Sequence, residues 1–109
     1  MAGSYGYIWE KFYQAVNGLV ASQRSLQERI AGAYVYHLMQ AEHHGLPPEI
    51  QDAFAELKAA VSSVADDPSG EGTVMASARK LTELEAHRIL ELIVSMYDSV
   101  TKYGPNSRE

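Results

Sequence analysis

The chain has no cysteine. A disulfide scaffold, a cysteine-ligated zinc site and thiol catalysis are therefore excluded. It is also short of cations, with nine Lys and Arg against fourteen Asp and Glu and a net charge of −5. No basic stripe runs through it, so nonspecific nucleic-acid binding, which needs clustered positive charge, is not expected. Apolar stretches such as Leu92–Val94 fall far short of the roughly 20 residues that span a bilayer. Met1-Ala2-Gly3-Ser4-Tyr5 lacks the basic region and apolar core of a signal peptide, and a cytoplasmic protein is expected.

Chemical motifs are equally scarce. Ser69-Gly70-Glu71-Gly72-Thr73 precedes a helical pattern, but it lacks the lysine of a phosphate-binding loop and no strand leads into it. Asp66, Asp67 and Glu71 would repel an anion there, and they do not follow the alternating-ligand pattern of a calcium loop. No serine sits in a Gly-x-Ser-x-Gly elbow. Glu83 and Glu85, two apart on a helix, diverge. The Glu-x-x-His pair of a bundle metal site is absent, because Ala86 and Arg88 stand three residues after those glutamates. No catalytic residue, cofactor or metal site is expected.

What the chain does have is helical periodicity. Its 109 residues, 46% hydrophobic, suit one all-α domain with a modest core. Helix 1 is expected over about 5–44. Its seam runs Tyr5, Trp9, Phe12, Val16, Leu19, Gln23, Leu26, Ile30, Ala33, His37 and Gln40, alternating steps of four and three. A second apolar face, Ala31, Tyr34, Val35, Leu38 and Met39, predicts burial on two sides. Gly45 can take a left-handed cap, with Leu46 folding back and Pro47 ending the helix. Helix 2, about 47–65, carries Ile50, Phe54, Leu57, Val61 and Val64 on one face. A mobile loop is expected over 66–72. Helix 3, about 74–103 and capped by Thr73, is followed by a frayed tail, 104–109.

The expected architecture is a three-helix, up-down-up bundle. At ~1.5 Å per residue, helix 1 would be roughly 57 Å long and helix 2 roughly 27 Å. The aromatic start of helix 1 would then be uncovered, which predicts a homo-oligomer, a dimer first of all. The expected interface comprises Tyr5, Ile8, Trp9, Phe12, Tyr13 and Val16, joined by Leu90, Ile93 and Tyr97 of helix 3. The expected role is non-catalytic: an oligomerisation or adaptor protein binding other proteins, with no nucleic-acid or membrane partner.

Two alternatives stand beside this reading. Asn17-Gly18, Ser22 and the capping-box sequence Ser25-Leu26-Gln27-Glu28 could break helix 1, giving a four-helix monomer. Polar positions in the seam could instead serve an interhelical cleft that holds a small ligand or metal or supports a small enzyme. His37, Glu42 and His87 are its candidate residues.

Overall fold

A computed structural model describes residues 2–64 and 72–105, with side chains from Tyr5 onward. The expected mobile loop, apart from Gly72, and the tail beyond Pro105 lie outside the described residues. Among the described residues the fold is all-helical, with five helices and no strand. None is long and apolar enough to cross a membrane.

The continuous first helix does not form. α1 spans Ala2–Ala21 and α2 covers 26–44. The molecule is 47 Å in its longest dimension, too short for the expected rod. Four hydrogen bonds make the corner. Ser25 caps α2 by accepting from Glu28 N at 3.1 Å, and the Glu28 carboxylate accepts from Ser25 N at 3.4 Å, so two otherwise unpaired amides are satisfied together. Arg29 then reaches back from α2. Its Nη1 donates to Leu19 O at 2.8 Å and its Nε to Arg24 O at 3.0 Å, so one guanidinium serves a carbonyl in the last turn of α1, which that helix end leaves unpaired, and a carbonyl of the corner itself.

α2 carries a second correction. Between its α-segments Leu26–Ala33 and Met39–His44 lies a π-helical segment, Tyr34–Leu38. A π turn takes in one extra residue, and the buried seam shifts by one. Leu38 and Ala41 are fully buried, His37 is half-buried and Gln40 is exposed. The seam thereby exchanges its expected polar positions for apolar ones. Gln23 is exposed in the corner, and Val35, expected inside, is 40% exposed.

Gly45 ends α2 at a φ of 114°, a backbone region that favours glycine. Pro47 leads into α3, Pro48–Ala60, with Pro48 in its first turn. This helix is shorter than expected, and Val64 lies beyond it with its N–H donating to buried Ser77 Oγ at 2.9 Å. The expected third helix is also broken. α4 covers Thr73–Arg79, with Gly72 rather than Thr73 in the capping position. A second capping box, Thr82 with Glu85, starts α5 at Glu83–Val100. A short 3₁₀ turn, Thr101–Tyr103, follows.

These helices close on one core. Ile8, Phe12, Leu38, Phe54, Leu57 and Ile93 are fully or almost fully buried in it. Phe12 and Phe54 meet edge-on at 6.4 Å between ring centroids, a favoured aromatic geometry.

Candidate functional site

α1 and α2 form an antiparallel hairpin. Tyr7 packs on His44 at one end, with ring centroids 4.6 Å apart. Leu19 meets Arg29 at the other. On one side of this hairpin, Gly18 of α1 and Ser22 of the corner line a groove with Gly32, Ala33, Tyr36 and His37 of α2, and Met75 of α4 closes the edge. α2 contributes Gly32 with Tyr36 and Ala33 with His37, positions four apart that share a face. Without side chains at Gly18 and Gly32, the two helices leave a groove of about 350 Å³. A second depression, about 340 Å³, continues it past Tyr36, sharing Gly32, Tyr36 and Met75 and adding Ala31, Val35 and Val74.

The rim of this groove is unusually apolar for exposed helix surface. Tyr36 is 69% exposed and Val35 40%. Helix positions facing water ordinarily carry polar residues. The charges beside the groove also run against the acidic whole. Arg24 and Arg29 line it with Glu28, and Glu28 is paired with Arg79 at 3.0 Å. Lys11 lies close enough to act on His37. His37 sits half-buried in the π-helical segment, and its Nδ1 has no hydrogen-bond partner among the described residues. Burial, with a smaller contribution from Lys11, pushes its pKa below the usual histidine value, which favours the neutral imidazole.

The expected interface residues fall elsewhere. Ile8, Phe12 and Ile93 are fully buried in the chain's own core. Tyr5, Trp9, Val16, Leu90 and Tyr97 pack partly buried against that core. Tyr13, 45% exposed, stacks on Trp9 at 5.2 Å. The corner at Ser22–Ser25 is the reason: α2 folds back and covers the face that a straight helix would have left bare. Among the described residues, no bare aromatic end of α1 is left for a second copy to cover.

The expected ligand residues are not brought into one cavity. His37 lines the groove, whereas Glu42 and His87 do not. Glu42 pairs with Lys58 Nζ at 2.9 Å, and His87 is exposed on α5. No group of three or more metal-ligating side chains occurs among the described residues. The residues that sequence reasoning missed are Gly18, Gly32, Tyr36 and Met75. Gly18 was legible as a weak point in a helix, but nothing in the periodicity sets it opposite Gly32. Compared with protein-family models, curated proteins and solved structures, the chain matches none.

Proposed function

We propose that this protein acts without catalysis, as a helical module that binds another protein by receiving a helix on the outer face of the α1–α2 hairpin. The observation that carries this reading is the continuous groove over Gly18 and Gly32, flanked by the exposed side chains of Val35 and Tyr36. Glycine lets a partner's backbone come close, and an apolar helix face laid into a groove is a recurrent recognition mode. Burying a side chain the size of Val or Met contributes about 1.5–3 kcal/mol. Micromolar binding needs about 8 kcal/mol net, so several such anchors suffice once ordering costs are met.

Selection of a displayed library of helical peptides against the immobilised protein tests this. Enriched peptides should carry an apolar stripe at steps of three and four. Their binding should be lost in Gly32→Leu and in Tyr36→Glu, with melting temperatures of both variants close to wild type. Enrichment of nothing, or of peptides indifferent to both substitutions, would remove the reading.

A further inference from the structure

We propose that the helix received by this groove is the exposed face of α5 from a second copy of the chain. The proposal rests on the groove being a helix-binding surface, and it names the occupant.

α5 carries a stripe that its own fold does not cover. Leu84, His87, Glu91, Val94 and Asp98 are all exposed, and their spacing alternates steps of three and four. Residues so spaced form one seam along a helix. Leu84 is 82% exposed and Val94 46%, so the seam has apolar knobs at both ends of its first three turns. Glu91 and Asp98 stand in the same seam, and neither makes an ion pair among the described residues. The seam is thus an acidic, partly apolar ridge.

The groove is its complement. Arg24 makes no close ion pair among the described residues, though it lies near enough to Glu28 to help hold that carboxylate ionised. Arg29 spends its donors on backbone carbonyls and keeps its charge. The carboxylate of Glu28 is already engaged by Arg79. Within a chain of net charge −5, the groove lining thus holds Arg24 and Arg29 beside a Glu28 that Arg79 already pairs, while α5 presents an acidic seam. Juxtaposed opposite potentials select partner and register. Ridge and groove are different surfaces of one molecule, so each contact joins unlike patches. Such contacts either close into a ring or continue from copy to copy.

Light scattering over a concentration series, with charge reversals, tests the assignment. The wild-type mass should rise above 12.0 kDa with concentration. A groove variant, Arg24→Glu, and a ridge variant, Glu91→Lys with Asp98→Lys, should each associate at least tenfold more weakly. Mixing the two in equal amounts should restore association, because both unlike contacts become complementary again. Tyr36→Glu, at a largely exposed position, should also weaken association while thermal melting by circular dichroism stays at the wild-type value. A wild-type monomer at every concentration overturns the second copy as occupant. In that case the peptide selection still decides whether the groove binds helices. Association that survives the reversals, or a mixture that stays monomeric, overturns it equally.

Discussion

One end of the α1–α2 hairpin is roofed by the rest of the chain, and the other is left open. At the N-terminal end of α1, Tyr5 packs on Tyr103 at 4.9 Å. Tyr103 and Lys102 reach across to Glu49 at the start of α3. Gly104 lies so close to Trp9 that a Cβ on it would come within 2.9 Å of the indole ring. At the corner end, a Cβ on Gly18 would meet nothing within 4 Å. Both regions combine glycine with aromatic side chains. In the first, the space that glycine leaves is filled from within the chain. In the second it is empty, and a surface with room for a neighbour and apolar side chains around that room is the basis of the proposed binding function.

The comparison predicts its sharpest contrast for truncations. Phe12, fully buried beneath the roofed end, should lose about 3–5 kcal/mol of stability as Phe12→Ala. Tyr36→Ala at the open end should change stability by no more than about 0.5 kcal/mol. Urea unfolding of the two variants measures both, and comparable losses would mean that the open end is core after all. The two glycines should respond to the same substitution with opposite signs. Gly104→Ala drives a methyl into Trp9 and should cost about 1–3 kcal/mol. A gain in stability there would break the comparison.

The corner is the structural reason that one end stays open, and its contribution is also measurable. Ser25→Ala removes a side-chain cap and should destabilise by about 1 kcal/mol. An unchanged unfolding midpoint would leave Arg29 as the holder of the turn. Gly18→Ala, in the last turn of α1 with free space around it, should gain about 0.4–1 kcal/mol by narrowing the unfolded ensemble. A loss would show that the groove is tighter than its geometry indicates.

The all-helical class and the end of α2 at Gly45-Leu46-Pro47-Pro48 were readable from residue types, because backbone chemistry writes them locally. The corner was half-readable. Ser25 and Glu28 announce a cap, yet Leu19 and Leu26 stay in phase across it, because two helices folded together both aim their apolar seams at one core. Periodicity cannot separate that arrangement from a straight rod. Thr82 and Glu85 spell the same box, but it was hidden inside an apolar stretch that looked continuous. The π-helical shift from His37 and Gln40 to Leu38 and Ala41 was unreadable from a regular repeat, since it departs from the repeat itself. The groove was the least legible feature, because it exists only where Gly18 and Gly32 face each other across two helices.

The smallest expected effect concerns how the roofed end is fastened. The hydroxyl of Tyr103 donates to the Glu49 carboxylate, and Lys102 Nζ lies 2.9 Å from it. These bonds, Tyr103 first, hold the Glu49 pKa down at about 2, against an ordinary value of 4.5. A carboxylate with a depressed folded-state pKa stabilises the fold above its unfolded pKa, and the contribution fades as pH drops toward the folded one. Solvent reaches this pair and weakens it, so the effect should be slight. Urea midpoints of wild type and Glu49→Gln should differ by a constant amount from pH 7 to about 5 and converge as pH falls from about 4.5 to about 2. A gap that persists unchanged at pH 2 would mean that the ionised carboxylate is not what holds Tyr103 in place. The roof would then rest on the Tyr5–Tyr103 and Trp9–Gly104 contacts alone, and shape rather than charge would distinguish the closed end of the hairpin from the open one.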